Sequence, residues 1–489
     1  MKKILISVFA LLLYIHGNAQ AKLVKVKSRA FKTTSDLKIE GEVGYLEVPE
    51  NRKNPSSRRI RMKYVHLKSL SENPSAPVVY LEGGGGFSTW EVNSPKDLSD
   101  RIEYLEVADL IYLDRRGATD ESLVSIWKGD FPENFFVSEE LANEHYQNMA
   151  KGALEQFEKK EIDISGYNIE EHANDVNDLM TELGFDRYTL FGFSYGSHIA
   201  MTVMNLFPNR IERAILVGAD APDQAFNFPS YLDKHVEKIS SMVAQDTAVN
   251  DIIPDFSALV DQTMQKLEQK PMTVTVKSPL TRKEVNLQIG PFGLALLLRL
   301  DIDDAYDIPI LPRLLYSINQ GDHSILTWFV QKRVRFALGL PGQGINQQLA
   351  SGVNPTRWKT IEAEAAKSPF GNVVNFPFSA VKDHWIPSEL SFDPSEPLQT
   401  SIPTLFLTGD LDCRTPVEQV EETRQGFSNS VHVVVENAGH EQAQWSYKVA
   451  NEIIPNFMSG QTIEATSARY GSIRFIQVIG ETTGHASID

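Results

Sequence analysis

Residues 188–206 constrain the chain more than any other stretch: a short apolar run, Tyr188 to Phe191, leads into GFSYG, and Ser197 to Leu206 continues as a helix before Pro208. A strand that turns into a helix through flanking glycines is the unit of a parallel α/β sheet, and it sets Ser194 at the carboxyl end of its strand. The same grammar recurs along the chain. Pro77 to Leu81 stops at Gly83 to Gly86, Asp109 to Leu113 at DRRGATD, Ile402 to Thr408 at GDLDCRTP, and Val431 to Glu436 at NAGH. Loop chemistry thus collects where the strands end, the place where open α/β sheets hold their sites.

Other elements fill in the organisation. Ile169, Ala173, Val176, Met180 and Leu183 recur at helical spacing, with Asn168 and Glu171 in capping-box positions and Gly184 past the end. Gly44 to Val48 and Ile60 to Lys68 flank a Pro/Asn/Ser-rich turn and predict an opening hairpin. Between residues 223 and 398 the spacing turns mostly helical, as in Phe256, Leu259, Val260, Met264 and Leu267, which predicts a lid inserted into the sheet. Phe292 to Leu300 is apolar nearly all round and predicts a helix buried inside that insertion or lining a pocket beneath it. Gln442 to Phe457 suits a last helix, and Ile473 to Val478 a strand in the tail. The expected division is a leader over 1–21, a core over 22–222, the lid over 223–398, and the rest of the core with a tail over 399–489.

The leader follows from Lys2 and Lys3, an apolar run of about 12 residues from Ile4 to Ile15, and the small residues Ala19 and Ala21. Such a run is too short to cross a ~30 Å hydrocarbon core, so we expect a cleaved export signal, a secreted or periplasmic protein, and no membrane span after cleavage. Cys413 is the single cysteine, so no intramolecular disulfide forms, and a small packed residue is its expected role. A formal charge of −17 repels phosphate backbones and argues against a nucleic-acid partner.

A serine hydroxyl attacks well only with a base in reach, a carboxylate to orient that base, and N–H donors for the oxyanion. Each part has a candidate. Ser194 sits at the turn; the acid lies in TGDLDCRTP, where Asp412 is preferred to Asp410 because a residue beyond the strand end turns back toward the site. Thr415, Pro416 and Glu418 are then expected to start the next helix as N-cap, first residue and capping-box partner. His440 follows the last clear strand through a glycine-containing loop, which gives the chain order Ser, Asp, His. The glycine run after Leu81 is either a flexible turn or the source of an oxyanion N–H, paired with that of Tyr195. It matches neither a phosphate loop nor a dinucleotide fingerprint. His172 and His198 fall on helices, where a packed or exposed role is expected. HExxH and clustered His/Cys ligands are absent from the sequence, so neither metal nor other cofactor is expected.

With these motifs, the chain resembles the prolyl aminopeptidase and tripeptidyl aminopeptidase branch of the α/β-hydrolases. The likeness runs through GYLEVPENRKNP, the glycine loop, LDRRGATDES, GFSYGS, GDLDCRTP and ENAGH, and AYDIPILPRLLYSINQGD in the lid is also similar. It implies an α/β-hydrolase fold, with a mostly parallel sheet flanked by helices and a large helical lid before the acid-bearing strand. It implies Ser194 as nucleophile, Asp412 as acid, His440 as base, and Gly84 with Tyr195 as oxyanion donors. Two departures stand out. Glu82 occupies the place of a His or Asn before the glycine loop, where it either binds a substrate ammonium or points away into a salt bridge, the latter preferred; Gly85 replaces a proline.

The expected activity is release of an N-terminal residue or short peptide, with lid-side carboxylates among Asp220, Asp301, Asp303, Asp304 and Asp383 holding the substrate ammonium. An esterase acting on small acyl substrates uses the same machinery, and a catalytically silent binding protein is the reading from another class.

Overall fold

The computed structural model describes residues 21–84, 94–118, 132–337, 342–352, 354–385 and 388–478. The expected leader, Gly85 and Gly86, and the end of LDRRGATDES lie outside the described residues. Among those described, ten strands form one sheet: β1 (Lys22–Lys32), β2 (Lys38–Pro49), β3 (Arg59–Leu67), β4 (Val78–Leu81), β5 (Leu110–Leu113), β6 (Tyr188–Phe193), β7 (Ile211–Val217), β10 (Thr404–Gly409), β11 (Ser430–Glu436) and β12 (Ser467–Arg469). Their order is β1-β2-β3-β5-β4-β6-β7-β10-β11-β12, and β8 (Met272–Lys277) pairs with β9 (Glu284–Ile289) in a separate hairpin. The pairings β1–β2, β2–β3 and β3–β5 are antiparallel; from β5 onward in the sheet order every pairing is parallel.

Parallel strands covered on both faces can be apolar throughout, because successive side chains serve opposite layers. All six residues of β6 are buried. Leu190 joins one apolar cluster with Val79, Ala214 and Phe406, while Phe191 and Phe193 join the other with Tyr80, Ile215 and Leu405. The helix Ile169–Glu182 starts at Asn168, whose side chain accepts the Glu171 N–H at 2.9 Å. The Glu171 carboxylate does not complete the expected box; it binds Arg52 instead.

β7 and β10 are direct neighbours, with Leu216 opposite Phe406, so everything between them leaves the sheet and returns beside its point of departure. That segment holds the helices Pro229–Gln245, Phe256–Gln269, Pro291–Asp301, Leu311–Gln320, Ser324–Ala337, Gly342–Ser351 and Pro355–Ala365. It also holds the hairpin β8–β9, which the helical spacing does not predict. It shares the core of the sheet: Leu294, Leu298 and Leu314 belong to the same cluster as Val79 and Leu190.

Three expectations are corrected. The first strand, β1, lies ahead of the expected hairpin; its exposed, lysine-rich edge carries little apolar pattern. The last helix is broken: a 3₁₀ turn over Gln442–Trp445 and a π turn over Val449–Ile453 precede a short helix Ile454–Met458, with Pro455 inside the stretch. No strand forms over 473–478; the tail pairs instead through Ser467–Arg469 on β11.

Candidate active site

Ser194 joins β6 to the helix Tyr195–Leu206 with φ 50° and ψ −125°, a positive φ that only a constrained turn holds in a serine. The constraint is visible bond by bond. The Ser194 N–H donates to Val217 O at 2.8 Å, and its carbonyl accepts both the N–H and the hydroxyl of Ser197, at 2.8 and 2.6 Å. The flanking glycines are needed for space: a Cβ on Gly196 would stand 1.9 Å from Leu81 O, and one on Gly192 2.7 Å from Gly196 O. The side chain of Ser194 is thereby raised above the strand ends.

Asp412, beyond β10, is fully satisfied by its own loop. Its Oδ1 accepts the N–H groups of Arg414 and Thr415, both at 2.9 Å, and Oδ2 accepts the Thr415 hydroxyl at 2.7 Å. Oδ2 also faces His440 Nδ1 at 2.8 Å. Thr415 therefore departs from the expected capping role: the next helix, Val417–Arg424, starts from Pro416, and the Thr415 hydroxyl holds the carboxylate. Asp410 serves the turn, accepting Asn437 N–H at 2.7 Å and pairing with Lys238 at 3.1 Å.

His440 is buried, its ring 5.2 Å from that of Phe193, the residue before Ser194. Gly218, φ +53°, leaves room for the imidazole: a Cβ there would come within 3.0 Å of His440 Cε1. The main-chain N–H of His440 donates to Asp303 O at 3.0 Å, and a Cβ on Gly439 would collide with that same carbonyl at 1.9 Å. Burial disfavours both charged forms of this pair. The mutual charge and hydrogen bond outweigh it, so Asp412 lies well below the ordinary carboxylate range and His440 above the ordinary histidine value. With an ionised acceptor on Nδ1, the neutral ring carries its proton there and leaves Nε2 free as a base.

Gly84, φ +74°, lines one cavity together with Ser194, Tyr195, Asp220, Arg299 and Thr415. At about 180 Å³ it far exceeds the room one water needs, about 10–15 Å³, so an organic group fits. Gly83 approaches the nucleophile still more closely, since a Cβ on it would lie 2.9 Å from Ser194 Cβ.

Of the five candidate carboxylates, Asp220 alone borders this cavity. Asp301 is paired with Lys332 and Arg333, Asp303 with Arg414, and Asp383 with Lys382; Asp304 accepts Tyr306 N–H and the Gln442 amide. Asp220 has looser neighbours, Gln419 Nε2 at 3.4 Å and His198 Nδ1 at 3.7 Å. Its position is tied to the nucleophile through Ser197, whose hydroxyl accepts Asp220 N–H at 2.8 Å.

The remaining sequence candidates fall outside the reacting centre. Glu82 makes no ion pair among the described residues, contrary to the preferred salt bridge; its carboxylate accepts its neighbour's N–H, on Gly83, at 3.2 Å, and burial raises its pKa. His198 is buried against Tyr195 and bonds Ser351, and burial pushes His172 down to about 3. Cys413 is buried, and burial drives its thiol well up. Among the described residues no His, Cys, Asp or Glu cluster suits a metal, and no helix is long and apolar enough to cross a membrane.

Sequence reasoning gave Ser197 and Arg299 no part in the site and gave Thr415 a capping role only. Arg299 did leave a signal: it is the one charge inside the apolar run PFGLALLLRL.

Residues 76–294 match the sequence pattern of the family described as alpha/beta hydrolase fold, and residues 382–469 that described as TAP-like protein. No curated protein sequence matches the chain. Among solved structures, an esterase from Thermogutta terrifontis is 14% identical, with a TM-score of 0.37 over 89% of this chain and 100% of that one. An esterase from Exiguobacterium antarcticum is 15% identical, with a TM-score of 0.37 and the same coverage. An alpha/beta hydrolase fold protein from Chitinophaga pinensis is 13% identical, with a TM-score of 0.35 over 89% of this chain and 98% of that one. The sheet order, the elbow at the end of β6 and the segment matched over 76–294 give this chain an α/β-hydrolase fold.

Proposed function

We propose that the chain is an exported serine exopeptidase that releases an N-terminal residue or short peptide. Ser194 is the nucleophile, His440 the base, Asp412 the orienting acid, and the N–H groups of Gly84 and Tyr195 the oxyanion donors. The segment 223–398 acts as the lid over the substrate. His440 Nε2 takes the Ser194 proton as Oγ bonds to the acyl carbon, then gives that proton to the departing amine. Water, deprotonated by the same nitrogen, hydrolyses the acyl ester and restores Ser194.

One observation carries the exopeptidase part: Asp220 presents a carboxylate to the cavity of Ser194 and, among the described residues, pairs with no lysine or arginine. A free substrate ammonium supplies that counter-charge, and a blocked one does not. The match of 382–469 to a TAP-like segment supports the tripeptidyl branch.

The test is a panel of chromogenic amides with free or acylated N-termini, single-residue or tripeptide, beside short esters. Free amides are expected to be cleaved best, and Asp220→Asn to lower their kcat/KM by about ten- to hundredfold, the worth of a bond to a charged group. Faster turnover of blocked amides or esters would overturn the peptidase reading and leave an esterase. Absence of fluorophosphonate labelling at Ser194 would overturn both.

A further inference from the structure

The cavity beside Ser194 holds a cation as well as an anion. Arg299 enters it from the helix Pro291–Asp301, whose other side chains up to Leu298 are buried and apolar. Its Nε–H donates to Val374 O at 3.1 Å, and among the described residues this is its single hydrogen bond. The acid whose charge acts on Arg299 is already taken: Asp303 is held by Arg414 through Nε at 2.7 Å and Nη2 at 3.0 Å. Nor does Arg299 form an ion pair with Asp220, although both line the same cavity. Burial, with Arg414 nearby, lowers its pKa to about 10, so it stays charged at neutral pH. A half-buried guanidinium left without a carboxylate is poorly compensated in a fold, and its planar fork matches a carboxylate in two parallel bonds.

We propose that Arg299 is the carboxylate-binding residue of this cavity, so that the enzyme selects substrates bearing a negatively charged carboxylate near the scissile acyl group. The inference rests on the acyl-hydrolase reading of Ser194. Combined with Asp220, it makes the preferred ligand dipolar, with an ammonium at one carboxylate and a carboxylate at one guanidinium. The carboxylate has two possible sources, an acidic side chain on the acyl residue or the free C-terminus of a short leaving peptide.

Matched pairs separate them. Glutamyl against glutaminyl p-nitroanilide places the charge on the acyl side; Ala-Ala against its C-terminal amide places it on the leaving side; p-nitrophenyl hemisuccinate against the butyrate removes the ammonium altogether. The readout is the ratio of kcat/KM, charged over neutral, in the wild type and in Arg299→Gln. A ratio of about ten or more in at least one pair, collapsing toward one in Arg299→Gln and partly restored by Arg299→Lys, is expected from a charge-assisted bond. Ratios at or below one in every pair of the wild type, or a ratio unchanged by Arg299→Gln, overturn the proposal.

If Arg299→Gln does not fold, the wild type still decides. Glutarate should protect Ser194 from fluorophosphonate labelling and glutaramide should not; equal protection by the two, or none by either, overturns it. The two readings fail separately. Preference for the hemisuccinate without amide cleavage removes the peptidase and keeps Arg299, whereas cleavage of free amides with no charge preference does the reverse.

Discussion

The loops at the strand ends and the inserted segment meet at one cavity, yet they are built differently. On the sheet side, each candidate reacting group is fixed by main chain: Ser194 by Val217 O and Ser197, Asp412 by the N–H groups of Arg414 and Thr415. On the insertion side, the cavity is lined by residues such as Arg299, on the helix Pro291–Asp301, and Asn375, at the end of a 3₁₀ turn over Val373–Asn375. Chemistry that must hold an angle is placed on backbone, and selection that must vary is placed on side chains. At the reacting centre Asp303 joins the two halves: its carbonyl holds His440 and its carboxylate holds Arg414.

Removing the sheet-side nucleophile should have the largest effect. Ser194→Ala is expected to lower kcat by about 10⁶, because a triad works as a unit and loses nearly all its advantage with one member. A loss below tenfold would break the comparison at its root, since the chemistry would then lie elsewhere. Asp412→Asn should come next, at about 10⁴. The N–H groups of Arg414 and Thr415 would claim the asparagine oxygen and turn its NH₂ toward His440 Nδ1. The imidazole would then carry its proton on Nε2 and could not accept one there. Steady-state kinetics with folded protein, checked by circular dichroism, measures both losses.

The difference between the halves also explains what the sequence discloses. Strand, turn and helix are local, so GFSYG, GDLDCRTP and ENAGH place Ser194, Asp412 and His440 at strand ends before any tertiary contact is known. The Asp412–His440 bond joins two of those loops because β10 and β11 are adjacent parallel strands. Contacts set by packing between distant segments are another matter. Thr415 is a local case of its own, since its hydroxyl can cap the next helix or reach three residues back to Asp412, and it does the latter. Asp220, Asp301 and Asp303 are indistinguishable as acids in a sequence; Lys332, Arg333 and Arg414 separate them in space. The tail is illegible for the same reason, since three residues pairing on β11 leave no periodic pattern.

Asp303→Asn probes the seam between the halves. It keeps the carbonyl that holds His440 but strips Arg414, whose side chain is 34% exposed, of its counter-charge, which should cost about 1–2 kcal/mol of stability once solvent screening is allowed for. Urea denaturation would register this as a lower midpoint. A fall in kcat beyond a hundredfold with an unchanged midpoint would mean that the insertion takes part in the chemistry itself.

The smallest effect expected is a displacement of the pH profile, and its sign follows from the site. Only neutral His440 accepts the serine proton, so kcat/KM should fall as the pH is lowered through the histidine's pKa. Burial alone would put that pKa below 6.5; the charge and hydrogen bond of Asp412 reverse the shift and hold it above. The acid limb of the wild type should therefore have its midpoint above 6.5. In Asp412→Asn the larger upward contributions are gone, while burial and Arg414 remain and outweigh the smaller upward pull of Asp303, so the His440 titration, followed by imidazole NMR, should move below 6.5. A wild-type limb below 6.5, or a titration that Asp412→Asn leaves in place, would show that the loop after β10 does not set the basicity of His440, and the division of labour between sheet and insertion would lose its electrostatic half.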